Sequence, residues 1–261
     1  MTTPVLLPTE FDVPLLNPSA AGLYGVTSWT EETGPPRWLT DGVRIKPWNY
    51  PGELSSGLWT DPWCPDDLSS GEEPGLKTGE RPDILDSFDP LTVWAYDSTQ
   101  CGDLSEQSRN EARLRAQQVL RLEEQTVVER EFAARLLLDA GAPTVKTDLI
   151  GAVGELELAF AATNTVGYIH ASAKWAAVAA RFNLLNRSGA GMRTPLGHRW
   201  VFGYATGLGE TLVASSQPFG WRDSVQLRES VEPQTNTFVA IAERSVVIGL
   251  EHVLGAVTVT P

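Results

Sequence analysis

The last twenty-five positions, from Thr237 to Pro261, read T-F-V-A-I-A-E-R-S-V-V-I-G-L-E-H-V-L-G-A-V-T-V-T-P. Val239, Ile241, Glu243, Ser245 and Val247 alternate there with Ala240, Ala242, Arg244, Val246 and Ile248. A period of two, rich in Val and Ile, predicts a strand. Gly249 is expected to break it, and a second β run follows from Ala256 to Thr260. Glu243 and Arg244 are charged within an otherwise apolar run, and buried strands hold charges only when these are paired. Two readings stand side by side. The pair is the salt-bridged edge of a core strand, or it reaches across to a neighbouring subunit.

A different texture fills Leu104 to Ala140, where charged residues interleave with Leu, Val and Ala and no Gly or Pro occurs. This predicts one long helix, capped by Asp103 or Ser105 and ended by Gly141 and Pro143. At ~1.5 Å per residue it spans roughly 55 Å if continuous, which is long enough that a bend or break is expected. Leu120, Val127, Ala134 and Leu138 share a face. Glu111 with Arg115 and Glu131 with Arg135 have the spacing of supporting ion pairs. Heptads are not sustained, which argues against a free coiled coil. Asp148 caps a second helix, Leu149 to Thr163. A strand from Val166 to His170 and a third helix from Ala173 to Leu185, capped by Ser172, come next. The third helix carries the face Trp175, Val178, Ala179 and Phe182. Asn186 to Gly191 reads as a turn, and His198 to Thr206 and Glu210 to Ser215 read as strands. Helices interleaved with strands make an α+β chain.

The first hundred residues carry neither period for long. Turn-forming runs such as N-P-S-A, E-E-T-G-P-P and D-P-W-C-P-D-D recur, and the one clear strand is Asp89 to Ser98. Six of the nine tryptophans lie here, namely Trp29, Trp38, Trp48, Trp59, Trp63 and Trp94. A loop-rich hundred residues is unusual in a compact monomer. Large aromatics on it need a place to be buried, and Trp is a frequent interface anchor. The expectation is an extended arm packed on another chain; a small β subdomain with a Trp core is the alternative.

The net charge of −13 is uneven, because residues 1–100 hold 16 acidic and 5 basic side chains and residues 101–261 hold 17 and 15. Such a balance argues against tight nucleic-acid binding, which needs Lys and Arg to displace counterions. It suits a protein that lies near DNA without sticking to it. At 42% hydrophobic residues over 261 positions the chain can bury a core. No run of eighteen apolar residues marks a membrane span, and the N-terminus lacks the basic and apolar regions of a signal peptide.

The search for chemistry is negative. Cys64 and Cys101 are too few for a four-ligand zinc site, and they are either reduced or joined in one bridge. His170, His198 and His252 have no metal-binding spacing. His170 reads as structural and His198 as a surface residue. There is no G-x-S-x-G elbow. The G-A-G and G-L-G pairs lack the setting of a nucleotide loop and read as turns. Glu155 and Glu157 do not face each other. Asp66, Asp67, Glu72 and Glu73 read as a solvated acidic loop. No catalytic residue, cofactor or metal is expected, and the chain is read as a non-enzyme.

The order of elements from about residue 88 onward resembles the Hong Kong 97-type major capsid protein of tailed phages, a fold that encapsulin shells share. The residues carrying the likeness are Pro90–Tyr96 leading into Leu104–Ala140, the strand and helix T-V-G-Y-I-H-A-S-A-K-W-A-A-V-A-A-R-F, the segment T-P-L-G-H-R-W-V-F, and Val239–Val259 with Glu243 and Arg244. The resemblance implies an N-terminal arm (1–25), an enlarged Trp-rich acidic E-loop region (26–100) with an extended β-hairpin, and a spine helix in a P domain (101–143). An A domain (144–222), P-domain strands (223–250) and a final A-domain strand (251–261) complete it. It implies a shell subunit that assembles with copies of itself as hexamers and pentamers around double-stranded DNA, without sequence-specific binding and without a membrane. Scaffold, portal or decoration proteins are its other implied partners, and the virion capsid, assembled in the host cytoplasm, is its implied place. Inter-subunit contact is expected at Trp29, Trp38, Trp48, Trp59, Trp63, Glu243 and Arg244. Two departures stand out. There is no long N-terminal scaffolding segment, so assembly would use a separate scaffold or none. L-E-H also stands where a proline is usual after the apolar C-terminal strand. Lys46 and Lys77 lie where some relatives place a crosslinking lysine, but no acceptor is identified. An encapsulin-like compartment is the alternative. A further one is a carbohydrate-binding module that stacks sugars on Trp38, Trp48, Trp59 and Trp63.

Overall fold

The computed structural model describes residues 11–32, 40–50, 55–59, 77–81, 83–99, 103–189 and 191–260. The elements in chain order are β1 (Ser28–Glu31), β2 (Leu91–Ser98), α1 (Glu106–Ala140), β3 (Thr144–Lys146), α2 (Leu149–Thr163), β4 (Tyr168–Ser172) and α3 (Trp175–Arg181). They continue with β5 (Asn186–Ser188), β6 (Gly191–Arg193), β7 (Arg199–Gly203), β8 (Thr211–Ser215), β9 (Pro218–Arg222), β10 (Gln226–Glu232), β11 (Thr237–Leu250) and β12 (Val253–Val259).

These strands form two sheets. One core lies between α1, the first sheet and the residues Tyr168, Val201, Val213, Val253 and Ala256 of the second, and another between α2 and the second sheet. In the first, β11 is the backbone: β2 runs antiparallel along one edge, and β10 and then β9 run antiparallel along the other. β1 adds to β9 in parallel. β9 and β10 act as one interrupted strand. At the interruption the ladder is kept by Asp223, whose N–H donates to Ser245 O and whose carboxylate accepts from Ser245 N–H. The second sheet runs β3-β12-β8-β4-β7-β6-β5, with α2 packed on β12, β8 and β3. All five residues of β4 are buried, as suits a central strand.

α1 is one uninterrupted helix of 35 residues. The Ser105 hydroxyl caps it by accepting from Ser108 N–H, and Gly141, at φ 67, ends it. Its buried face is a different one. Leu120 is buried, but Ala134 and Leu138 are exposed. The buried positions are Ala112, Ala116, Leu120, Glu124, Val128, Phe132 and Leu136, spaced by four, with Glu129 and Ala133 beside them. At 3.6 residues per turn a step of four advances about 40°, so the stripe winds roughly 240° around the helix. This lets α1 touch β2 and β11 of the first sheet and also β8 and β12 of the second. The expected ion pairs differ too: Arg115 pairs with Asp97 at 2.7 Å and Arg135 with Asp139 at 2.8 Å.

Other expectations shift for local reasons. β11 runs straight through Gly249. A Cβ there would lie 2.6 Å from Phe88 Cδ2 and 2.9 Å from Ile45 Cδ1, so the glycine marks a close approach within a strand. α3 is shorter than Ala173–Leu185. Ser172 belongs to β4, Lys174 provides no side-chain cap, and Asn183 turns the chain at φ 58. Asn186–Ser188 and Gly191–Arg193 form a small hairpin where a turn was expected. The second sheet's strands from this part of the chain end at Ser215, and Pro218–Arg222 joins the first sheet, ahead of the expected boundary at 222.

Candidate assembly surfaces

The arm is the first feature to resolve. Residues 16–24 are held by side chains along α1 of the same chain, not left wholly for another chain as expected. Gln118 Nε2 donates to Leu16 O at 2.8 Å, Arg121 to the Asn17 side chain, and Gln125 Nε2 to Ala21 O at 2.8 Å. Positions 118, 121 and 125 lie three and four apart, so one helix flank carries all three. Leu23 then plugs the core with no exposure, and its N–H donates to Glu129 Oε1 at 2.8 Å.

Glu129 sits in a socket built for it. Its second oxygen accepts from Tyr204 N–H at 2.8 Å, so one carboxylate joins the arm, the helix and the chain just past β7. A Cβ at Gly22 or at Gly203 would lie 2.3 Å from Glu129 Oε1, so both glycines leave the room it needs. Burial pushes the Glu129 carboxyl above its ordinary range, against the N–H donors of Leu23 and Tyr204.

A second buried carboxylate lies one turn earlier. Arg244 grips Glu124 with both forks, Nε to Oε1 at 2.9 Å and Nη2 to Oε2 at 2.6 Å, and their side chains are 15% and 4% exposed. The Tyr24 hydroxyl donates to Glu124 Oε1 at 2.7 Å, and burial and the Glu124 charge both raise its pKa. Strand geometry turns Glu243 to the other face, where Arg228 pairs with it at 2.6 Å. Glu243 and Arg244 therefore answer separate partners within the chain rather than each other.

The tryptophans divide. Trp29 belongs to its own core: it lies over Gly220, meets Tyr24 edge-on at 4.7 Å, carries the Arg222 guanidinium at 4.6 Å and donates to Tyr24 O. Trp48 is 86% exposed, and Trp59 is part-exposed with Lys77 Nζ 4.5 Å from its ring centroid. Trp38 and Trp63 lie outside the described residues, as do Cys64, Cys101, Asp66, Asp67, Glu72 and Glu73. Trp94, 64% exposed, and Tyr96 stand side by side on the face of β2 turned away from α1, since the alternating Val93 and Ala95 face the core.

The L-E-H site has a clear role. Glu251 turns the chain between β11 and β12 and accepts from Trp48 N–H, from Asn49 N–H at 2.6 Å and from Asn49 Nδ2 at 2.7 Å. Tyr50 stacks on His252 at 4.8 Å. Residues 48–50 are thereby rooted on the C-terminal turn. Burial raises the Glu251 carboxyl, but these donors outweigh it and hold the pKa below its ordinary value.

His170, Ser215 and Tyr204 form a buried polar circuit beside the second sheet. Ser215 Oγ donates to Ser216 O, so it accepts from His170 Nε2–H at 2.7 Å; His170 Nδ1 then accepts from Tyr204 O–H at 2.7 Å. Burial lowers the His170 pKa to about 3. A neutral, sealed imidazole with both nitrogens used has no proton to trade with a substrate. His198, expected at the surface, is buried: it stacks on Phe160 at 4.1 Å and accepts from Gly167 N–H. Among the described residues no group of three or more His, Cys, Asp or Glu could hold a metal ion, and no helix is long and apolar enough to cross a membrane.

Glu124 and Glu129 were not singled out in the sequence, where they are two of the many charged residues interleaved with Leu, Val and Ala along α1. The signal available was their place in and beside the spacing of four that runs from Ala112 to Leu136.

No protein-family model and no curated protein matches the sequence. Solved structures do match over nearly the whole length. One is from Mycobacterium phage Bobi, at 13% identity and TM-score 0.53, over 98% of this chain and 96% of that one. Another is the capsid of an empty GTA particle, at 11% identity and TM-score 0.51, over 98% and 94%. The chain has the Hong Kong 97-type capsid fold, as the resemblance implied.

Proposed function

We propose that this chain is the structural subunit of an icosahedral phage head, assembling with copies of itself as hexamers and pentamers around double-stranded DNA and catalysing nothing. The observation that carries this reading is the full-length likeness to the capsid of an empty GTA particle, with almost no residues of either chain left over. In this reading α1 and the first sheet are the P domain, and the second sheet is the A domain. Residues 26–100 supply the E-loop, rooted at Glu251. The exposed aromatics Trp94 and Tyr96, side by side on β2, and Trp48 face other copies, as aromatic anchors of an interface do. The acidic surface encloses DNA without holding it. Scaffold, portal or decoration proteins are further partners, and the virion is its place.

Negative-stain electron microscopy of the purified chain, with nucleic acid and protein assayed in any particles, tests this. Closed shells or ring-shaped capsomers are expected, with DNA inside particles taken from their natural source. Shells filled with a cargo protein would make it an encapsulin-like compartment. A monomer whose Trp fluorescence is quenched by sugars would replace the reading.

A further inference from the structure

A line of buried hydrogen bonds runs from Leu23 in the arm to residues 48–50. Leu23 N–H donates to Glu129 Oε1 and Tyr204 N–H to Glu129 Oε2, each at 2.8 Å. The Tyr204 hydroxyl donates to His170 Nδ1, His170 Nε2–H to Ser215 Oγ, and the Ser215 hydroxyl to Ser216 O. Ser216 Oγ in turn accepts from Glu251 N–H at 2.9 Å and from His252 N–H at 3.1 Å. The Glu251 carboxylate holds Trp48 and Asn49. No side chain in the line, from Glu129 to Glu251, is more than 9% exposed. Ser216 lies between β8 and β9 and Glu251 between β11 and β12, where the chain passes from one sheet to the other.

Tyr204 is the strained member of the line. Its φ of 50 is left-handed, a conformation that a bulky side chain adopts only when its surroundings hold it there. Two bonds do so, its N–H on Glu129 and its hydroxyl on His170. A carboxylate is rigid, so when one Glu129 oxygen loses Leu23 the group can turn and take the other oxygen away from Tyr204. The side chains beyond Tyr204 are buried, and a polar atom there that loses its partner has no solvent to turn to. Each displaced group therefore moves with the next.

We infer that Tyr204 is a two-position latch coupling the seat of the arm on α1 to the seat of residues 48–50 on the turn between β11 and β12. With the arm seated, Tyr204 stays strained and both seats are tight. With the arm away, Tyr204 relaxes, Ser215 and Ser216 shift, and residues 48–50 loosen. Such coupling is reciprocal, so loosening residues 48–50 also loosens Leu23. The latch works within one copy of the chain and does not depend on the shell reading.

Hydrogen exchange of the full-length chain, followed by mass spectrometry with parent and variants at the same mass by light scattering, tests this. Gly22→Ala unseats the arm, because the glycine has φ 95 and a Cβ there would lie 2.3 Å from Glu129 Oε1. It should quicken exchange in residues 48–50 by at least about fivefold, the low end of coupling between sites. In a Tyr204→Phe background, which lacks the hydroxyl, Gly22→Ala should quicken residues 16–24 alone. Glu251→Gln, made at the other end, should quicken Leu23 by the same factor as Gly22→Ala quickens residues 48–50. Leu156→Ala weakens the second core without touching the line, and should leave residues 48–50 as they were. The latch is overturned if Gly22→Ala leaves residues 48–50 unmoved, or moves them equally with Phe at position 204. It also falls if Glu251→Gln spares Leu23, or if Leu156→Ala loosens residues 48–50 as much as Gly22→Ala does.

Discussion

The second sheet and α2 close their core with Leu156, Phe160, Ile169, Trp200, Leu212 and other apolar side chains, almost all from residues 149–214 plus β12. The first sheet and α1 gather segments a hundred or more residues apart, and they do so around charge: arm to helix through Glu129, and helix to β11 and Tyr24 through Glu124. Apolar burial has no preferred direction, whereas a gripped carboxylate fixes position and register. Both regions have apolar cores, and the first adds gripped carboxylates that hold extended pieces of chain in place. A subunit that meets its neighbours through arms and loops needs both.

The comparison breaks most sharply at Arg244. Arg244→Met strands the buried Glu124 charge and should cost about 3–5 kcal/mol in urea unfolding, with amide protection lost through residues 16–27. Leu156→Ala in the second core should cost about 2–5 kcal/mol and leave arm protection as it was. Gly203→Ala pushes a methyl into the Glu129 socket. It should cost about 1–3 kcal/mol and loosen the Leu23 and Tyr204 amides together, as hydrogen exchange would show.

Acid separates the two regions by sign. His170 has a native pKa of about 3 against an ordinary 6.5, so the unfolded chain takes up a proton that the native one refuses. Its contribution to stability is therefore lost as pH falls from 6.5 toward 3, by at most about 1.4 kcal/mol per pH unit, and His170→Asn should flatten that slope. Glu129, raised by burial, acts the other way: its ionisation costs the native state, and acid relieves that cost. Smallest of all, Asp148→Ala removes the α2 cap, whose carboxylate accepts from Gly151 N–H at 2.7 Å, and should cost about 1 kcal/mol in thermal unfolding.

The second region was the more legible in the sequence. α2 lies where its Asp148 cap and apolar run put it, and β7 and β8 fall inside the stretches that read as strands. The alternation of β11 and the absence of Gly and Pro through α1 were equally plain. What hid was what tertiary contact decides. β10 reads Q-L-R-E-S-V-E, an edge strand whose last five residues are exposed on both faces, and β9 is a strand through its pairing with β1 and β11, with Trp29 lying over Gly220. The buried face of α1 was not picked out, because Glu124 and Glu129 belong to it. Arg244 was singled out as an oddity, but its partner lies 120 residues away, beyond what any local spacing reveals.

The most direct test of the shell reading is the mass of the purified full-length chain in solution, measured by light scattering. The account predicts capsomers of five or six copies, or closed shells, built from 28.4 kDa units. A single species at 28.4 kDa across concentration and salt, with the fold intact by circular dichroism, would contradict it.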